Sequence, residues 1–226
     1  AMVEHPRIKA ISFTGGTATG KHIAATAGPM FKKLSLELGG KNPNIIFEDA
    51  DIEKAIKTTV NTSFLNQGEI CLCGSRLLVH ASLYDKVKEE MVKQAKALVV
   101  GDPQDEKTRV GAIVSKPHYE KVLSYIELAK QEGGHVLAGG EALHPKGFES
   151  GWFIAPTVIE GLGPACRTNT EEIFGPVITL MSFKTEEEAL QIANATEYGL
   201  AATVWTENLT RAHRFASQLE FGIVWV

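Results

Sequence analysis

The stretch Phe64-Leu65-Asn66-Gln67-Gly68-Glu69-Ile70-Cys71-Leu72-Cys73-Gly74-Ser75-Arg76 decides how the chain reads. A helical pattern runs into it from Asp51, with Ile52, Ala55, Ile56, Thr59, Val60, Ser63 and Phe64 at helical spacing. Asn66, Gly68 and Glu69 break that pattern, and a cysteine follows at once. The run Arg76-Leu77-Leu78-Val79-His80 then leads away as a strand. A thiol on such a break can sit at the mouth of a cleft, where a helix N-terminus or a cation lowers its pKa and exposes a reactive thiolate. A free cysteine is more often a small buried hydrophobe, so the segment alone leaves both readings open.

Upstream, Ile8 to Phe13 reads as a short strand, and Thr14-Gly15-Gly16-Thr17-Ala18-Thr19-Gly20-Lys21 as a Gly-rich turn opening a helix to about Ala27. Backbone N–H groups at such a helix start welcome a phosphate. The turn is no magnesium-nucleotide loop, because His22 replaces the Ser or Thr that would hold the metal. A plain strand-to-helix turn fits it equally well. From Lys33, Leu34, Leu36 and Leu38 alternate with Ser35 and Glu37, a strand period that Gly39-Gly40 ends. Glu37 thus stands at a strand end beside two glycines, where backbone can approach a ligand, although a solvated strand carboxylate is the commoner case.

Downstream, Ser82-x-x-Asp85 reads as a helix start, Thr108 to Val114 as a short apolar segment, and Ser115-Lys116-Pro117 as the start of a helix to about Glu132. Gly139 to Gly151 reads as a surface loop, and Trp152 to Ile159 as an edge strand interrupted by Pro156. Thr170-Glu171-Glu172-Ile173-Phe174-Gly175-Pro176 sets two carboxylates and an aromatic before a Gly-Pro break and a buried strand, Val177 to Met181. Thr185-x-x-Glu188 opens another helix, and strand Ala201 to Trp205 precedes a helix over about Asn208 to Leu219. Strands alternate with helices, which argues α/β with a largely parallel sheet.

Composition narrows the function classes. Among 226 residues, 44% are apolar and 22% charged, an ordinary globular balance. A net charge of −4 offers no basic surplus for nucleic acid or anionic lipid. Cys71, Cys73 and Cys166 are too few for a disulfide framework, so a reducing, cytoplasmic setting is expected. No apolar run reaches the ~20 residues that span a bilayer. The seven histidines form no H-E-x-x-H pair, and Cys71-x-Cys73 with His80 lacks a second ligand pair, so no metal is expected.

Four stretches taken together carry a resemblance. Phe13-Thr14-Gly15-Gly16-Thr17, Leu36-Glu37-Leu38-Gly39-Gly40-Lys41, Asn66-Gln67-Gly68-Glu69-Ile70-Cys71 and Glu171-Glu172-Ile173-Phe174-Gly175-Pro176 resemble, in this order, the motifs of NAD(P)-dependent aldehyde dehydrogenases. The ending Gly222-Ile223-Val224-Trp225-Val226 is similar too. Lys33 to Glu37, Gly68 to Cys73 and Tyr198 to Ala202 look closest to the aminomuconic and hydroxymuconic semialdehyde dehydrogenases. The resemblance implies a catalytic domain over 37–226 with a largely parallel sheet flanked by helices, preceded over 1–36 by the tail end of a Rossmann-like cofactor domain.

It also implies chemistry. Cys71 would be the nucleophile towards a small aldehyde, such as a muconic-type semialdehyde, and Glu37 the base that activates water against the resulting thioester. Gly15 and Gly16 would lie near the cofactor pyrophosphate, with Gly16 where many members carry Ser. Glu172 would bind the nicotinamide ribose, and Phe174 would lie against that end of NAD, the expected cofactor, or of NADP. Glu69 stands where many members carry Gln. The family's second oxyanion donor, its adenosine-ribose segment and its last substrate-funnel segment have no counterpart here, so a fragment of a homo-oligomeric enzyme is expected. The other reading is an inactive, truncated binding or structural module. An acylating enzyme that uses coenzyme A fits less well, because Glu37 is present to drive hydrolysis.

Overall fold

Apolar strands that cannot hide one face in solvent must be covered by helices on both, and this chain supplies both in alternation. A computed structural model describes all residues, 1–226. In chain order the elements are β1 (Ala10–Thr14), α1 (Thr17–Ala27), β2 (Lys33–Glu37), β3 (Pro43–Ile46), α2 (Ile52–Phe64), β4 (Arg76–His80), α3 (Tyr84–Ala97), α4 (Lys116–Gln131), β5 (His135–Ala138) and β6 (Ala142–Leu143). They continue with β7 (Phe153–Ile154), β8 (Thr157–Glu160), α5 (Arg167–Thr170), β9 (Val177–Phe183), α6 (Glu186–Asn194), β10 (Ala201–Trp205), α7 (Leu209–Gln218) and β11 (Ile223–Trp225). No helix is long and apolar enough to cross a membrane.

The chain divides into two units, Ala1–Gly40 and Lys41–Val226. The sequence placed this boundary after residue 36. In the first unit β1 and β2 pair in parallel, from Ala10 opposite Lys33 to Thr14 opposite Glu37. Helix α1 covers them closely, since a Cβ on Gly20 would lie 2.4 Å from Leu38 Cδ2.

The second unit is built on a seven-stranded sheet of order β11-β10-β3-β4-β9-β8-β5, in which only β5 runs antiparallel. Alternation along the strands splits the core. Ile46, Leu77, Val79 and Leu180 face Ile56, Val60 and Phe64 of α2 and Val87 and Met91 of α3. Ile45, Phe47, Leu78, Met181 and Val204 face Ala189 and Ile192 of α6 and Phe215 of α7. Each such large side chain contributes about 1.5–3 kcal/mol by leaving water. A third cluster seats Val122, Ile126 and Ala129 of α4 against Ile154, Ile159, Ile173 and Val177.

Three expectations from the sequence need correction. Pro156 does not interrupt an edge strand: it separates β7 from β8, and β8 lies inside the sheet between β5 and β9. The loop 139–151 contains β6, which pairs antiparallel with β7. Ser82 does not cap α3, because its N–H and hydroxyl are taken by His80 Nδ1 and a 3-10 turn intervenes.

One charge sits deep in this layer. Arg76, the first residue of β4, is fully buried, and its guanidinium donates to Lys41 O (2.9 Å), Ile192 O (2.8 Å) and Ala193 O (2.7 Å). The last two are carbonyls at the C-terminal end of α6, where a cation is favoured. Burial pulls the pKa of Arg76 down to about 10. Arg76→Met strands three carbonyls and should lower unfolding free energy by about 3 kcal/mol or more, read by urea denaturation. A loss below about 1 kcal/mol would show that water replaces the guanidinium.

Candidate active site

The main chain reverses at the end of α2. Asn66 (φ 49°), Gln67 (φ 50°) and Gly68 (φ 71°) occupy the left-handed region in succession. Asn tolerates that region, and here its Nδ2 donates to Glu69 O at 3.1 Å. Gln67 is held at both ends of its amide: Nε2 donates to Glu69 Oε2 (3.1 Å), and Oε1 accepts from Gly111 N–H (3.3 Å). Gly68 is required on two counts, since its φ is positive and a Cβ there would lie 2.2 Å from Gly175 O.

Cys71 follows in a turn closed by Cys73 N–H donating to Ile70 O at 3.1 Å. The buried Asn42 grips this turn: its Nδ2 donates to Cys71 O (2.7 Å) and Cys73 O (2.9 Å), and its Oδ1 accepts from Ala201 N–H (3.2 Å). Ser63 donates to Gly74 O at 2.8 Å. Cys71 is half-buried, whereas Cys73 is buried and burial pushes its thiol up to about 11. The two thiols thereby differ, Cys71 partly open to solvent and Cys73 packed and protonated. Cys71 comes after the C-terminal end of α2, so that helix lends it no N-terminal dipole, contrary to one of the sequence-based options. A cavity of about 770 Å³ opens beside the turn, lined by Ile70, Leu72, Cys73, Leu65, Thr62 and Trp205 among others. A second cavity, of about 670 Å³ around His135, Glu160 and Gln191, contains none of the expected site residues.

Glu172 and Phe174 lie in the segment that Gly175 presses against Gly68. Phe174 is itself left-handed (φ 61°). One face of α4 holds this segment at positions 118, 121 and 125, spaced to share a side of the helix. Lys121 Nζ donates to Glu172 O (3.0 Å), Tyr125 OH donates to Glu171 Oε2 (2.5 Å), and His118 Nε2 lies 2.6 Å from Phe174 O. Burial, and then the Glu171 contact, push Tyr125 up to about 12. Lys41 is buried, and desolvation, followed by Arg76, lowers its pKa to about 7 against the pull of Cys166 and Glu172.

The remaining expected residues lie in the first unit. Gly15 N–H donates to Glu37 O at 3.0 Å, which ties the Gly-rich turn to the end of β2, and the Glu37 side chain is exposed. Gly16 caps α1 with open space where a Cβ would be. Thr17 Oγ1 is buried without a partner at the first position of the helix. An open helix N-terminus with an orphan hydroxyl fits a phosphate-bearing cofactor.

The structure thus joins Gly15 with Glu37 in one unit, and Cys71 with Glu172 and Phe174 in the other. Asn42, His118, Lys121 and Tyr125 are missing from the sequence reading. The i, i+3, i+7 spacing of 118, 121 and 125 was the available signal for three of them, but it also describes any helix face. Asn42 had no signal, because its partners lie 29 and 159 residues away.

The sequence profile of the aldehyde dehydrogenase family matches residues 1–226. The chain is 46% identical over 228 residues to 2-aminomuconic semialdehyde dehydrogenase of Homo sapiens, covering all of this chain and 47% of that protein. It is 44% identical over 225 residues to chloroplastic betaine aldehyde dehydrogenase of Atriplex hortensis, covering all of this chain and 44% of that protein. The crystal structure of Staphylococcus aureus betaine aldehyde dehydrogenase in complex with NAD+ superposes with a TM-score of 0.96 at 41% identity, over 99% of this chain and 44% of that one. The chain spans about half the length of the relatives it matches.

Two outcomes test this geometry. Gly68→Ala should cost at least about 2 kcal/mol of stability, from the left-handed φ and the clash with Gly175 O, and a melting temperature equal to wild type would contradict it. For Lys41, the unfolded chain keeps a proton that the folded chain releases above about pH 7, so its contribution to stability rises with pH from about 7 towards 10.5. Lys41→Met should flatten that rise in urea midpoints measured across the window; an unchanged slope would assign it to another group.

Proposed function

The chain belongs to the aldehyde dehydrogenase family, and from that premise we propose that the enzyme carrying it oxidises an aldehyde to a carboxylic acid with NAD, through a covalent adduct on Cys71. The observation that carries this reading is the half-buried Cys71 on a turn held by Asn42 and seated on the Phe174 segment, beside a cavity lined by its neighbours Ile70 and Leu72. The relatives named for 2-aminomuconic semialdehyde and betaine aldehyde, and the NAD+ held by one of the solved structures, support the reaction class and the cofactor. A muconic-type semialdehyde is the first substrate to try.

The Cys71 thiolate attacks the carbonyl carbon and forms a C–S bond, while the carbonyl π electrons move to oxygen. The Cys71 backbone N–H would stabilise that oxyanion. NAD, when bound, would supply the acceptor for the hydride on this carbon. Cys71 then holds the acyl group as a thioester. Glu37 takes a proton from water, whose oxygen attacks the thioester; the C–S bond breaks, and Cys71 departs as thiolate with the carboxylic acid as product. Gly15, Gly16 and the start of α1 would cradle the pyrophosphate, with the Thr17 hydroxyl free to donate. Glu172 would accept from the ribose hydroxyls, and Phe174 would pack against the nicotinamide end.

Two variants separate the steps. Cys71→Ala should reduce NADH formation to background. Glu37→Gln should give a burst near one equivalent of NADH, followed by turnover slower by roughly a hundredfold or more. Steady turnover in Cys71→Ala would overturn the covalent mechanism, and a Glu37→Gln enzyme with wild-type kcat would remove Glu37 from deacylation.

A further inference from the structure

We propose that His118 is a positioning residue that joins the Cys71 turn to the Phe174 turn and thereby sets where the nicotinamide end of the cofactor rests. The role rests on the functional reading of Cys71 and Phe174 given above. His118 opens the first turn of α4, where Ser115 Oγ accepts its N–H. Its ring is mostly covered, with 17% of the side chain exposed.

Nε2 lies 2.6 Å from Phe174 O, and because a carbonyl can only accept, Nε2 carries the proton and donates it. The same nitrogen stands 3.5 Å from Glu69 Oε1, whose side chain is 6% exposed. Glu69 is fixed in turn, since Oε1 accepts from Val114 N–H (3.2 Å) and Oε2 from Gln67 Nε2 (3.1 Å). The imidazole also meets the Phe174 ring edge-on, with centroids 5.9 Å apart. One side chain therefore touches the carbonyl of one turn, its aromatic ring and the carboxylate of the other turn.

The backbone here resists relaxation to a commoner shape. Of the four non-glycine residues with positive φ in the chain, Asn66, Gln67 and Phe174 belong to these two turns. A left-handed non-glycine persists only where its surroundings over-determine it. For Phe174 the surroundings include the His118 hydrogen bond to its own carbonyl, and for Gln67 they include Glu69, which His118 approaches. Without that donor, Phe174 can return to a right-handed φ, and its ring leaves the place where it would meet the nicotinamide.

The test compares His118→Gln, whose amide nitrogen can reach the same carbonyl, with His118→Ala, in the enzyme that carries this chain. NADH binding is titrated by fluorescence, KM for NAD and kcat are measured at saturating aldehyde, and the deuterium isotope effect on kcat is read with the aldehydic hydrogen replaced. His118→Ala should weaken NADH binding and raise KM for NAD by about tenfold, the size of one hydrogen bond, and should enlarge the isotope effect. His118→Gln should restore most of both, which a merely structural role would not predict. If the alanine variant fails to fold, His118→Asn, which falls short of the carbonyl, takes its place. Equal behaviour of the glutamine and alanine (or asparagine) variants, or binding unchanged in both, overturns the role of His118 while leaving the reading of Cys71 intact. Absence of NADH binding by the wild-type enzyme overturns the functional reading itself, and the proposal with it.

Discussion

A buried guanidinium without a carboxylate partner underlies the candidate site. Arg76 leaves water completely and recovers its hydrogen bonds from three backbone carbonyls, two of them at the end of α6. Such a charge is costly unless every donor is aimed, and the aim is set by β4, which starts at this residue. Arg76 N–H also donates to Asn42 O at 3.2 Å, and the Asn42 side chain holds the carbonyls of Cys71 and Cys73. The charge, the strand start and the thiol turn are therefore one hydrogen-bonded assembly. Lys41 joins it through its carbonyl, which accepts from Arg76 Nε, and its buried amine holds its proton weakly, first because it is desolvated and then because Arg76 lies close.

Above that base, two turns meet at their glycines. Gly68 and Gly175 approach so closely that neither turn can shift without the other, and α4 closes over the contact with Val122 against Gly175. Rigidity is obtained by accepting unfavourable backbone angles at Asn66, Gln67 and Phe174 and offsetting them with side-chain amide, carboxylate and imidazole bonds. A nucleophile presented this way needs little reorganisation to reach a carbonyl carbon.

The fold class was legible in the sequence because its signals are local. The 3.6-residue run from Ile52 to Phe64 and the apolar run of β9 each report their own element. Two helix starts also declared themselves: Ser115 and Thr185 each accept a backbone N–H as their chemistry predicts. Pro156 misled because a proline says only that a ladder stops, and here the chain leaves one pairing and enters another. Within the candidate site, Cys71, Glu172 and Phe174 stood out by composition around Gly and Pro breaks and by resemblance. Asn42 and His118 did not, because an amide among strands and a histidine in a first helical turn gain meaning only from the distant carbonyls they meet.

The sheet order also sets a timetable for synthesis. β3 lies between β4 and β10, and its Asn44 waits 161 residues for Trp205, whose indole N–H donates to Asn44 Oδ1 at 2.9 Å. At the usual pace of translation, about 5–20 residues per second, the wait lasts roughly ten to thirty seconds. During that interval the growing chain carries β3, whose residues are all buried in the finished fold, with one edge open, a ready template for another nascent strand. The strand that later shields it belongs to the last quarter of the chain, so this edge stays unpaired until most of the sheet has been made.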